Sequence, residues 1–243
     1  VDHKPVFVEG VLPYEEAEVE ITEKKNTYAK GTLKKLLWVS KERIRTDYEY
    51  YIEEGCPLYI LQYEAQLKYK KQILEEALLK YGNVKSHFVR VFHPSPRIYG
   101  YRTQCKLPVQ DSRGHMVTGM YVPGTNHFHP VKRSRIQPEE LENARIKIMK
   151  MVDRSYLKAY DDRKEKGLRY LVLRVIDGKM QCTLVTGKDK VHKELVEEIM
   201  SIDGMTGVFQ SINTDKKAVA IFGSAVHKLA GEDTMPVKIG DIT

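Results

Sequence analysis

Apolar positions recur along this chain with two different periods, and the periods sort it into strands and helices. Residues 17–21 read Ala-Glu-Val-Glu-Ile, apolar and acidic in strict alternation, the pattern of a half-buried strand. Val6-Phe7-Val8 is a β-prone run ahead of a turn at Leu12-Pro13, and residues 32–39 form another extended stretch after Gly31. These strands suit a small β-barrel but are too few to close one. Residues 5–8 read as the middle of a barrel entered late, so Val1 is expected not to be the natural start. The clearest helix covers residues 62–81. Leu67, Leu74, Leu78 and Tyr81 recur at helical spacing, Lys and Glu take the other face, and Gly82 stands at the stop position. A second helix starts near Pro138, with Glu139 and Glu140 against the positive end of its dipole. Its stripe is Leu141, Ala144, Ile148 and Val152, and it is expected to run to about Tyr160. A third covers residues 188–201, with Val191, Leu195, Ile199 and Ile202 in register.

Paired strands lie between the helices. Residues 168–176 and 180–185 flank Asp177-Gly178, a strong two-residue hairpin signal. Residues 208–212 and 218–222 flank a polar loop and predict a second hairpin, and 99–110 pairs with 115–122 across residues 111–114. Hairpins mixed with about three helices give an α+β fold rather than a doubly wound one. The expected organisation is a partial β-barrel over 1–45, a loop over 46–61 and a mixed α+β domain over 62–243.

Composition narrows the class. With 42% hydrophobic and 30% charged residues the chain is neither disordered nor a membrane protein, and its longest apolar runs, such as Leu36-Leu37-Trp38-Val39, fall far short of a bilayer span. The start shows no signal-peptide pattern. Three cysteines, Cys56, Cys105 and Cys182, lie far apart with no CxxC pair, which points to a reducing cytoplasm and no disulfide framework. The net charge of +7 favours a polyanionic partner, although many soluble proteins carry such a surplus as a solvated surface.

Two stretches could carry binding chemistry. On the strand 99–110, Tyr99, Tyr101, Thr103, Cys105, Leu107 and Val109 share one face, and Arg102, Gln104 and Lys106 share the other. Arg, Gln and Lys supply donors to phosphates and base edges; the plain alternative is the solvent face of a sheet. The segment His127-Phe128-His129-Pro130-Val131-Lys132-Arg133-Ser134-Arg135 interleaves cations with an aromatic ring, a composition suited to single-stranded RNA. A metal site at His127 and His129 is the sharper alternative, but no third ligand is near in sequence. No GxGxxG, P-loop, GxSxG or HExxH pattern is present. Cys56, between Gly55 and Pro57, could act as a nucleophile, but no helix start or cationic partner is in local view.

Three stretches together resemble the bacterial RNA (uracil-5-)-methyltransferase family. The first, Val6-Phe7-Val8, Leu12-Pro13 with Glu15 and Glu16, Lys24-Lys25 and Tyr28-Ala29, is similar to the later strands of the TRAM domain, an RNA-binding barrel that opens many of these enzymes. Tyr14 stands where that family commonly has glycine. The second and most specific, Gly55-Cys56-Pro57-Leu58 with Tyr63-Glu64-Ala65-Gln66-Leu67 and Lys70, looks like the junction between the family's iron–sulfur loop and the long helix after it. Four cysteines hold a [4Fe–4S] cluster in that family. Here only Cys56 matches: Asp47 and Glu53 lie about where two others would be and Ser134 near the last, so no cluster is expected. The third, Tyr101-Arg102 with Lys106, then Gly119, His127 and Val131, resembles the central domain, where a Tyr-Arg-Asn-Lys-like strand opens the sheet; Thr103 and Gln104 depart from it. The hairpins over 168–222, Phe222-Gly223 and Gly231 continue the match, and residues 240–243 resemble the lead-in to a catalytic domain.

The resemblance implies the RNA-binding portion of an S-adenosylmethionine-dependent enzyme that methylates C5 of a uridine, with ribosomal RNA the expected substrate. In the family a further Rossmann-like domain binds the methyl donor and carries the cysteine that attacks C6; its motifs do not occur in these residues, so no catalytic residue is carried over. The residues expected to contact RNA are Arg102, Lys106, Lys132, Arg133 and Arg135. Two other readings remain open. One is a stand-alone RNA-binding protein derived from the family without methyltransferase activity; the other is an unrelated enzyme using Cys56, for which no partner base is identifiable.

Overall fold

The computed structural model describes residues 4–45, 55–84, 89–216 and 220–237. They fall into two compact units, one made of the described residues up to 96 and the other of those from 97 on.

In the first unit β1 (Val6–Val8), β2 (Glu16–Lys24) and β3 (Ala29–Trp38) form an open three-stranded sheet in the order β1-β3-β2. β1 runs parallel to β3, and β2 antiparallel. The alternation read from residues 17–21 is real: Ala17, Val19 and Ile21 are half-buried between exposed glutamates. Glu15 anchors the sheet to the chain beyond it. Its carboxylate takes the amides of Leu12 (2.8 Å) and Ser40 (3.1 Å) and a two-pronged grip from Arg43, at 2.7 and 2.6 Å. Burial pushes this carboxyl up, but the Arg43 and backbone hydrogen bonds outweigh it and hold Glu15 below the usual carboxylate range.

Helix α1 (Tyr63–Gly82) belongs to this unit, although its sequence pattern groups it with the mixed domain to its C-terminal side. Leu61 and Ala65 pack on Leu12 in a small cluster, and the Tyr69 hydroxyl donates to Glu42 at 2.8 Å, which pushes its own pKa up to about 12. The helix ends on Asn83, left-handed at φ 50°, rather than on Gly82. Its expected apolar stripe is largely uncovered: Leu74 and Tyr81 are exposed.

The second unit is a seven-stranded mixed sheet with two helices on one face. β4 (Gln104–Ser112), β5 (His115–Tyr121), β6 (Phe128–Pro130), β7 (Leu168–Ile176), β8 (Lys179–Thr186), β9 (Met205–Ile212) and β10 (Val226–Gly231) lie in the order β10-β9-β8-β7-β4-β5-β6. The period of two sends Cys105, Leu107, Leu171, Leu173, Cys182 and Leu184 to the covered face. There they meet Leu141, Ala144, Ile148 and Val152 of α2 (Glu139–Arg154) and Leu195 and Ile199 of α3 (Lys193–Met200). Truncating any one of these leucines costs about 2–5 kcal/mol.

Four expectations need correction. α2 stops at Arg154, not near Tyr160: Ser155 turns to extended backbone, its hydroxyl bonds the Val152 carbonyl and the Leu157 amide, and Leu157 drops into the core. α3 starts at Lys193 rather than 188. The partners of residues 208–212 are β8 and β10 rather than a following hairpin strand: α3 carries the chain over so that β9 lies parallel to β8, and β10 takes its other edge, while residues 218–219 of the expected hairpin lie outside the described residues. The strand expected from 99 begins only at Gln104, because residues 100–102 pair instead with 135–136 through Gly100 N–H to Arg135 O (2.9 Å) and Arg102 N–H to Ile136 O (2.8 Å). The Asp177-Gly178 hairpin forms as expected, both residues at positive φ.

Candidate nucleic-acid interface

The face of the second sheet away from the helices carries a polar row. Gln104, Arg174 and Gln181 stand opposite one another on β4, β7 and β8, and the next row is Lys106, Val172, Thr183, Phe209 and Lys228. Lys106 and Arg174 are exposed, and the Lys106 ammonium sits 5.6 Å from the ring centre of Phe222. Phe222 reaches that place because the chain after β9 folds back: Asn213 donates to the carbonyls of Ala220 and Ile221, and Gly223 donates to Ser211 Oγ. A Cβ on Gly223 would strike the Ile212 carbonyl, so only glycine allows this approach.

Beside Lys106 the sheet opens into a cleft of about 540 Å³, lined by Tyr101, Arg102, Gln104, Lys106, Ser134 and Gln137 among others. Its origin lies in strand register. β4 pairs with β7 from residue 104 to 108, but with β5 only from 109 to 112. Thr103 O accepts from Val175 N–H, so odd residues of β4 bond β7 and the amides of Gln104 and Lys106 point the other way, into the cleft. Pro108 stands where the ladder to β5 would continue; without an N–H it cannot. β5 turns instead to β6 at Gly119, where a Cβ would meet the His129 carbonyl and the Phe128 ring.

The opposite wall is segment 131–137, and a buried ion pair fixes it. Arg145 grips Glu142 through Nε (2.9 Å) and Nη2 (2.8 Å), and donates to Thr118 Oγ1 (2.6 Å), Val131 O (3.3 Å) and Lys132 O (3.0 Å). Glu142 also accepts the Ser134 amide at 2.9 Å. Both side chains are almost wholly buried.

The structure divides the five residues expected to meet RNA between the cleft and its wall. Arg102 and Lys106 line the one cleft. Lys132, Arg133 and Arg135 are exposed on the segment whose Ser134, Ile136 and Gln137 face it, and Arg133 is held by Glu139 at 3.3 Å. Sequence reasoning missed Arg174; the alternation that buries Leu173 and Val175 places it on the open face, so its signal lay in the 168–185 hairpin.

The cysteines offer no reactive centre in this unit: burial pushes Cys105 up to about 11, and Cys182 further. A [4Fe–4S] cluster does not fit the residues present. Cys105 and Cys182 are committed to the core of the second unit and Cys56 lies in the first, while Asp47 and Glu53 fall outside the described residues. Among the described residues no group of three or more His, Cys, Asp or Glu could hold a metal ion. S-adenosylmethionine would need an open crevice past the carboxyl ends of parallel strands. At that end of β8–β9 a Cβ on Gly187 would strike the Glu165 carbonyl, and Gln210 Nε2 fills the gap by donating to Thr186 Oγ1 and Asp189 O, both at 2.6 Å. That place does not fit the cofactor.

No family model matches the chain. Its homologues are RNA methyltransferases. An uncharacterized RNA methyltransferase of Halalkalibacterium halodurans is 32% identical over 250 residues, covering 98% of this chain and 53% of its own length. One from Clostridium tetani is 29% identical over 249 residues, covering 99% and 54%. The chain thus spans about half the length of the curated relatives it matches. Among solved structures, the Pyrococcus abyssi tRNA (uracil-54, C5)-methyltransferase, in complex with S-adenosyl-L-homocysteine, shares the fold at a TM-score of 0.72 and 19% identity, over 97% of this chain and 53% of that one. Among the described residues no helix is long and apolar enough to cross a membrane.

Proposed function

We propose that this chain is the RNA-gripping portion of an S-adenosylmethionine-dependent RNA (uracil-5-)-methyltransferase, with methyl transfer the work of residues outside it. The observation that carries the reading is the helix-free sheet face, where Lys106 and Arg174 flank donors from Gln104 and Gln181 beside a cleft edged by Arg102. The homologues named RNA methyltransferases, and the fold shared with a uracil-C5 enzyme, support the same reading. Lys132, Arg133 and Arg135 extend the basic surface along the cleft wall. β1–β3 would be the remnant of a TRAM-like barrel, a second RNA contact. An enzyme acting on a paired or stacked base must turn it out of the helix, and a rigid basic platform holds the flanking strand while that happens. Ribosomal RNA is the proposed substrate class and cytoplasm the proposed compartment.

The test is RNA binding as a function of salt. Alanine at both Arg102 and Lys106 is expected to weaken binding and to lower the salt slope by about one for each phosphate no longer neutralised. Unchanged affinity and slope would refute the assignment. Competition between ribosomal fragments and transfer RNA for the same protein decides the substrate class.

A further inference from the structure

The cleft beside β4 is built for more than phosphates. Ser134 and Gln137 are each more than nine-tenths buried, yet Ser134 Oγ and Gln137 Oε1 have no hydrogen-bond partner. Both residues line the cleft. Leaving two such atoms dry costs about 1–3 kcal/mol each, and proteins retain few of them without a use. Across the gap stand the main-chain groups of Gln104 and Lys106, turned away from β7 by the register of the sheet. Two unpartnered side-chain oxygens and the outward-turned main-chain groups of a strand, lining one cleft of a basic surface, are groups that the edge of a heterocyclic base can bond.

Resting on the RNA-binding reading above, we propose that this cleft takes one unstacked base of the bound RNA, its edge read by the β4 main chain with Ser134 and Gln137 while Arg102 and Lys106 hold its phosphates. Tyr101, half exposed at the rim, supplies an aromatic surface beside it. An added peptide strand would use the same open edge. The free stretch of β4 is only residues 104–107, too short for a stable ladder, and its rim is cationic, so a nucleotide is favoured. This base is a flanking one, distinct from the uridine that is methylated, because the one thiol lining the cleft, Cys105, is packed into the hydrophobic core.

The experiment uses a fluorescein-labelled stem-loop RNA with a uridine-containing loop, and a set in which each loop base in turn is replaced by an abasic ribose. Binding by the 243-residue protein and by its Ser134→Ala/Gln137→Leu variant is followed by anisotropy at two salt concentrations. One abasic position is expected to weaken binding to the unmodified protein by about tenfold, and to have little further effect on the variant. The variant itself should bind the intact loop about tenfold more weakly, with its salt slope unchanged. It should melt at the same temperature or higher, since it removes two buried oxygens that have no hydrogen-bond partner.

If the unmodified protein binds the RNA but tolerates every abasic position, the base cleft is refuted and the RNA-binding reading stands. If it shows no salt-dependent binding to any of these RNAs, both fall. If the variant proves too unstable to assay, the abasic set on the unmodified protein still decides.

Discussion

Replacing Glu142 with alanine should cost the second unit about 3–5 kcal/mol, the range for breaking a buried pair by removing one partner. The magnitude comes from the work Glu142 does. It takes two hydrogen bonds from Arg145 and one from the Ser134 amide, with its side chain about 1% exposed. Without it the guanidinium stays buried, still tied to Thr118 Oγ1 and to two carbonyls but with its charge uncompensated. Such a loss is a large share of the roughly 5–15 kcal/mol that holds a typical domain together. Substituting an apolar pair does not rescue it, because Arg145 also satisfies Val131 O and Lys132 O, which would then be orphaned. The assay is hydrogen exchange at the amides of β7 and β8, which open only with the unit. The single tryptophan, Trp38, lies in the other unit and would not report it. The same variant should bind RNA more weakly, since segment 131–137 loses its anchor. A change below about 1 kcal/mol would show that the pair is worth no more than a surface one and that something else fixes the wall.

Two smaller effects can be measured alongside. Tyr14 sits at φ 65°, in the left-handed region that costs a side-chain-bearing residue about 1–2 kcal/mol, and it is largely exposed. Tyr14→Gly should therefore raise the stability of the first unit by about 0.5–1 kcal/mol in urea unfolding, once the extra chain entropy of glycine is subtracted; a decrease would show that the ring makes an interaction worth more than the strain. His115 Nδ1 lies 2.9 Å from Asp153, and that hydrogen bond and charge raise the histidine and lower the aspartate. A raised histidine stabilises the fold below its ordinary pKa and loses that effect as pH rises through the higher folded value. The lowered Asp153 keeps its contribution above its ordinary pKa and loses it as pH falls through the depressed one. The imidazole resonance of His115 should titrate above the ordinary value of about 6.5 and return toward it in Asp153→Asn; an unmoved midpoint would refute the interaction.

The elements with long, clean periods were legible in the sequence and those defined by distant partners were not. Leu141, Ala144, Ile148 and Val152 spell a helix whatever surrounds them, and Asp177-Gly178 spells a hairpin locally. The pairing of β9 is different. Its alternation fits an antiparallel neighbour as well as a parallel one, and only the packing of α3 across the sheet decides for β8. The same holds for residues 99–103, whose alternation reads as strand. Their backbone finds partners at Arg135 and Ile136, over thirty residues on, and leaves the ladder. Of the candidate site, Arg102 and Lys106 were visible as side chains. The cleft they line was not, because it is made by the failure of two strands to pair. Ser134 and Gln137 carry no local signal either; each is an ordinary polar residue in a loop, and Ser134 is drawn in by its amide's bond to the buried Glu142.

The cleft is consequently a property of three features that lie outside the proposed RNA contacts. Pro108 ends the β4–β5 ladder by lacking a donor, Gly119 lets β5 close onto β6 instead, and the Glu142–Arg145 pair holds segment 131–137 at the distance that results. Each works by a different physical means: a missing hydrogen bond, a missing side chain and a buried charge pair. Their effects on RNA binding should therefore separate. Pro108→Ala restores a donor without adding bulk, and is expected to lengthen the β4–β5 ladder toward Lys106, visible as slowed exchange at the amides flanking position 108. It should weaken binding of the loop RNA while leaving the salt slope intact, because Arg102 and Lys106 keep their charge. A variant that lengthens the ladder and still binds RNA as before would mean that the cationic rim alone carries recognition, with the cleft a by-product of the fold.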